Sequence, residues 1–106
     1  MRIIKEKTLW EFVKRDNYKA ARESLRVWAH LVRNHNWTNP VELKATFRSA
    51  SLIGGKRVVF NIKGNEFRLV VDVEYQLGVI FVIWFGTHRE YDRIDVKKLS
   101  YGHKTD

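Results

Sequence analysis

His88, Arg68 and Tyr91 are the side chains best suited to chemistry at a phosphate. His88 stands two residues after Gly86, where the apolar run Val79 to Phe85 meets the charged stretch REYDRID. Imidazole has the free pKa nearest neutrality, so it suits proton transfer; the other reading, and the safer one for the residue taken alone, is a surface histidine in a turn. Gly86 is expected to let the backbone turn ahead of it. Arg68 interrupts an apolar stretch. A guanidinium there can grip two phosphate oxygens and stabilise charge that builds up in a phosphoryl transition state, or pair with Asp72 or Glu74 on the same face. Tyr91, three residues past His88, can stack on a base or donate its hydroxyl, or close the end of the sheet as a core residue.

Cationic side chains surround these three. Between Leu43 and Val71 the chain has six basic residues, Lys44, Arg48, Lys56, Arg57, Lys63 and Arg68, against one acid, Glu66. Lys56 and Arg57 follow Gly54-Gly55 as a basic tip, Lys63 sits in a turn, and Arg89 and Arg93 flank Tyr91. All five are candidate nucleic-acid contacts. His88, Glu90 and Asp92 lie close in sequence, but basic neighbours oppose a divalent cation. We read the two acids as salt-bridged surface residues and expect no metal or other cofactor. The turn NIKGN lacks the spacing of a phosphate loop. His30 lies off the apolar stripe of its helix, and His35 and His103 are read as surface residues.

The whole chain carries 20 Lys and Arg against 12 Asp and Glu, a net charge of +8 over 106 residues. Such a balance favours a polyanionic partner, nucleic acid before membrane. Cysteine is absent, which excludes a thiolate nucleophile and a Cys-based zinc site. The longest apolar run, Val79 to Phe85, is far short of a membrane span. The opening MRIIKEKTLW has no signal-peptide core. A single cytoplasmic domain over 1–106 is the expectation.

Positioning these residues requires helices and then strands. Thr8 and Glu11 form a capping-box pattern ahead of a short helix that buries Leu9, Phe12 and Val13. Tyr18, Ala21, Leu25, Trp28 and Val32 make one apolar stripe at helical spacing, with Lys19, Arg22, Arg26 and Arg33 on the other face. Asn39-Pro40 starts a third helix, with Glu42 completing a second capping box. Trp10 and Trp28 are read as core, Trp37 and Trp84 as more open. RVVFNI, FRLVVDVEY and VIFVIWF read as strands joined by short turns. In the second, Phe67, Leu69, Val71, Val73 and Tyr75 share one face. The third, apolar on both parities, is expected to be central and covered on both sides. Arg2 to Ile4 is a possible edge strand. The fold class is α+β, with N-terminal helices on one face of a small, mainly antiparallel sheet.

The blocks SASLIGGKRVVFNIKGNEFRLVVDVEY and FVIWFGTHREYDRID, with RIIKEKTLWEFV before them, resemble HigB-like toxins of bacterial type II toxin–antitoxin systems, within the RelE-like mRNA interferase superfamily. The resemblance runs from Arg2 to about Val96. It implies a ribosome-dependent, metal-independent endoribonuclease that cuts translated mRNA. It also implies a cognate HigA-like helix-turn-helix antitoxin, and operator DNA bound by the pair. It places Arg68 where relatives contact the scissile phosphate, and His88 where a basic or histidine residue often follows the third strand. Tyr91 lies near a catalytic tyrosine of some relatives, at a different spacing. Asn61 stands where some carry a lysine. The alternative function is a non-catalytic basic RNA- or DNA-binding module acting mainly in promoter repression.

Overall fold

The computed structural model describes residues 1–100; His103 and the end of the proposed 1–106 domain lie outside them. Strand β1 (Arg2–Ile4) leads into helix α1 (Glu6–Phe12). A 3₁₀ turn (Lys19–Ala21) then precedes α2 (Arg22–Arg33) and α3 (Pro40–Thr46). A meander of β2 (Ser51–Gly54), β3 (Arg57–Ile62), β4 (Phe67–Glu74) and β5 (Val79–Thr87) follows, and one helical turn, α4 (His88–Tyr91), succeeds β5. The five-stranded sheet has the order β1-β5-β4-β3-β2 and is antiparallel except for β1, which runs parallel to β5. The fold is α+β, as the order of helical and alternating patterns requires.

The five residues of the apolar stripe are all buried. They pack on the inner sheet face with Phe67, Leu69, Val71, Val73, Ile80 and Phe85. Trp28 meets Phe60 edge-on at 5.5 Å between ring centroids. Phe85 stacks on Phe67 at 5.6 Å and lies 5.9 Å from the Tyr18 ring.

Several local expectations are corrected. Helix α1 begins at Glu6, with Lys5 preceding it in the left-handed region at φ 67°, so Thr8 lies inside the helix and caps nothing. Pairing of β1 on β5 delivers the chain there, one turn earlier than the capping pattern implied. At α3, the Asn39 side chain does accept from the Glu42 amide at 3.0 Å. The Glu42 carboxylate, however, accepts from the Thr38 amide and hydroxyl at 2.7 and 2.8 Å, so the second capping box is closed one residue upstream. Those bonds hold the Glu42 pKa below the ordinary carboxylate value. Trp37 is buried, its indole N–H donating to Thr46 Oγ1 at 3.0 Å, whereas Trp10 is only half-buried. Ser51–Gly54, not assigned from the sequence, is an exposed edge strand on β3.

Strand β5, expected to be central, is second in the order with β4 at the centre; β1 flanks it only over 79–81, and its outer face is only partly covered, with Val79, Phe81 and Trp84 half-buried. A bulge changes the face of the last residues of β5. Val71 pairs with Val82 and Val70 with Trp84, leaving Ile83 as the extra residue. One extra residue reverses the alternation beyond it. Phe85 is thereby sent into the core, while Trp84 and Gly86 join the outer face.

Candidate active site

On that outer face, strand pairing aligns Asn61, Arg68 and Gly86 in one row, next to the row of Val59, Val70 and Trp84. The β5 bulge is what brings Trp84 and Gly86 to the side of Arg68. Gly86 serves there by its lack of a side chain rather than by turning the chain. A Cβ at that position would lie 2.6 Å from Trp84 Cη2 and 2.7 Å from Glu90 Oε1.

Arg68 is held by the β3–β4 turn. Its Nη2 donates to Asn65 Oδ1 at 2.6 Å, and its Nη1 donates to the carbonyls of Asn65 and Phe67, each at 3.1 Å. The two acids that could have neutralised it are engaged elsewhere. Asp72 takes a bidentate ion pair from Arg57, at 2.6 and 3.0 Å, and Glu74 pairs with Lys56 at 3.1 Å. Among the described residues Arg68 has no carboxylate partner, so its charge is uncompensated at the sheet face. Its Cζ lies 5.9 Å from the centroid of the Tyr91 ring, within cation–π range.

Tyr91 also packs toward Trp84, at 6.2 Å between centroids. Burial pushes the Tyr91 pKa up, and the nearby Arg68 charge pulls in the opposite direction to a lesser extent. His88 opens α4, and its amide donates to the Glu66 carbonyl at 2.9 Å, which ties the helix to the β3–β4 turn. The half-buried imidazole makes no hydrogen bond among the described residues. The site therefore joins a fixed guanidinium, an imidazole and a phenol at the end of β5.

Glu90, read from sequence as a surface acid, instead organises α4. With Thr87 it forms a capping box: the Glu90 amide donates to Thr87 Oγ1 at 3.1 Å, and the Thr87 amide donates to Glu90 Oε1 at 2.9 Å. The T-x-x-E pattern of Thr87 to Glu90 is the signal in the sequence that gives this away. Glu90 also accepts the Tyr18 hydroxyl at 2.9 Å on each oxygen. No local pattern points to that contact.

The five proposed nucleic-acid residues differ in availability. Arg89 and Arg93 are exposed beside α4, with no ion pair among the described residues. Lys63, in the left-handed region at φ 54°, pairs with the exposed Glu66 at 3.2 Å, and Lys56 is half-exposed in its pair with Glu74. Arg57 is corrected: its side chain is 12 % exposed, clamped by Asp72, and donates to the Val96 carbonyl at 2.7 Å. It braces the C-terminal segment across the sheet and presents no free surface to phosphate.

No helix among the described residues is long and apolar enough to cross a membrane. No significant match is found among curated proteins. A family model described as HigB_toxin, RelE-like toxic component of a toxin-antitoxin system, matches residues 21–94, most of the chain from the 3₁₀ turn through α4. With its helices on one face of a mainly antiparallel sheet and this match over well over half its length, the chain belongs to the HigB toxin family, the RelE-like toxic component of a toxin–antitoxin system.

Proposed function

We propose that this toxin is an mRNA interferase: a ribosome-dependent, metal-independent endoribonuclease. It would be neutralised in the cytoplasm by a HigA-like helix-turn-helix antitoxin that binds operator DNA with it. The observation carrying the reading is that Arg68, free of any carboxylate among the described residues, shares the end of the sheet with His88 and Tyr91.

The 2′-hydroxyl of one nucleotide attacks its own 3′-phosphate in line. The bond to the 5′-oxygen of the next nucleotide breaks, leaving a cyclic phosphate and a 5′-hydroxyl. Arg68 stabilises the charge that builds on the non-bridging oxygens, with Lys63 and Arg89 as further cations. His88 moves a proton at the attacking or leaving oxygen. Tyr91 stacks on a base or shares the proton work; an ordinary phenol is protonated near neutrality, and burial shifts the Tyr91 pKa further up. A ribosome that holds the message in line supplies the remaining orientation.

The test is induced expression followed by mapping of mRNA 5′ ends, for wild type and for His88→Ala. New ends and growth arrest are expected only with the wild type. Loss of a general acid–base group lowers rate by about 10²–10⁴-fold. Intact message with the wild type would refute the reading. The non-catalytic alternative instead has His88→Ala as potent as the wild type.

A further inference from the structure

The basic face of α2 has no part in the site above, yet it lines a cleft of about 800 Å³ between α1 and α2. Five Lys and Arg residues line it, Lys14, Lys19, Arg22, Arg26 and Arg33, against one acid, Glu6. Glu6 is already shared between Arg33 and the Trp10 indole, whose N–H donates to it at 2.9 Å. Lys14 and Arg22 have no ion pair among the described residues, and Lys19 and Arg26 pair only with exposed acids on their own segment, Asp16 and Glu23.

The cleft lies on the helical side of the sheet, opposite the face that carries Arg68, and the two sides meet at the end of β5. Tyr18, immediately before Lys19, bonds Glu90 of α4. At the far end, the Met1 nitrogen donates to the Val32 carbonyl at 2.7 Å, and Arg2 pairs with Val79 at the start of β5. Helix α2 thus runs antiparallel to β5, and its basic stripe starts at the end of the sheet that carries His88. From Arg22 to Arg33 the stripe spans about 16 Å at the helical rise of about 1.5 Å per residue. Over that length a stacked strand presents about five phosphates.

We infer that the cleft between α1 and α2 holds the phosphate backbone of a single-stranded RNA that passes round the end of β5, beside α4, to its scissile bond at Arg68 and His88. The inference rests on the ribonuclease reading and adds a flanking subsite to it. Phosphate suits the lining better than a peptide helix does. A helix in a groove needs a series of apolar anchors, and Trp10 and the buried Val13 are the only apolar side chains in the lining. The half-exposed Trp10 ring offers one base a stacking surface.

The test measures equilibrium binding of 2′-O-methyl RNA, which cannot be cut, in oligonucleotides of about 4 and about 12 nucleotides, the range of site sizes for single-strand binders. Wild type is compared with the triple variant Lys14→Gln/Arg22→Gln/Arg26→Gln, whose three positions are solvent-exposed, and folding is checked by its melting curve. For the longer RNA, the slope of log affinity against log salt is expected to fall by about 2, at about 0.7 per cation removed. Binding of the shorter RNA is expected to stay unchanged. An unchanged slope overturns the inference. So does a loss confined to duplex DNA, or a loss of antitoxin binding with RNA binding intact. A wild type that binds the longer RNA through the cleft but never cuts message in cells supports the cleft and removes the ribonuclease reading instead.

Discussion

The hydroxyl of Tyr18 donates to both carboxylate oxygens of Glu90, 72 residues away, at 2.9 Å each. Tyr18 stands ahead of α2 with its ring packed on Phe67 and Phe85. Glu90 sits inside the single turn of α4 and caps it. A four-residue helix has little stability of its own. This contact anchors it, and with it His88 and Tyr91, to the hydrophobic core.

Tyr18→Phe keeps the ring and removes the bond. A hydrogen bond to a charged group contributes about 1.5–3 kcal/mol, so urea denaturation should show a loss in that range. Message cleavage should fall further than the unfolded fraction accounts for, because α4 loses its anchor while the core stays packed. Equal cleavage by folded Tyr18→Phe and wild type would show that α4 is positioned without Tyr18.

Gly86→Ala tests the close approach beneath α4. The added methyl meets the Trp84 ring and Glu90 within 3 Å, so one of them must move. Overpacking of this kind costs about 1–3 kcal/mol. Trp84 fluorescence should shift, and cleavage should drop with little change in secondary structure by circular dichroism. A variant with wild-type stability and emission would mean that Trp84 and Glu90 yield freely.

The three-strand meander and the buried stripe were legible, because short turns join neighbouring strands and apolar spacing records which face meets the core; the place of β1 beside β5 and the existence of β2 were not. Arg68 and His88 stand out in the sequence as candidates because the first interrupts an apolar strand and the second closely follows one. The β5 bulge was not legible. An apolar run on both parities is compatible with any register, and only pairing to β4 reveals Ile83 as the extra residue. Arg57 was misread for a related reason. A basic residue after two glycines looks solvated, and only the register that sets it opposite Asp72 shows the pair. Tyr18 was correctly placed in the core, but its hydroxyl partner lies too far along the chain for any spacing rule.

The Arg57–Asp72 pair offers a sharp stability test. The two side chains are 12 % and 11 % exposed, so removing one strands a largely buried charge. Loss of one partner of such a pair costs about 3–5 kcal/mol. Asp72→Ala should be strongly destabilising in urea, while Arg57→Met/Asp72→Leu should recover much of the loss by packing. Single and double variants of equal stability would show that the charges act through some other contact.

The raised pKa values of Tyr18, Tyr75 and Tyr91 predict an alkaline limit for the fold. Burial is the main cause that raises the pKa of both Tyr18 and Tyr91, and the bond to Glu90 adds to it for Tyr18. A raised pKa in the folded state means that folding favours the protonated phenol. This contribution to stability is complete below the unfolded tyrosine pKa of about 10 and is lost as pH rises through the folded values. Stability followed by urea denaturation should therefore fall above about pH 10 through these groups. Tyr18→Phe and Tyr91→Phe should each flatten that fall. An alkaline limb of the same steepness in both variants and the wild type would locate the titrating groups elsewhere. The same protonation bears on catalysis: a cleavage rate that rose with tyrosinate formation, and lost that rise in Tyr91→Phe, would make Tyr91 a general base rather than a donor or stacking partner.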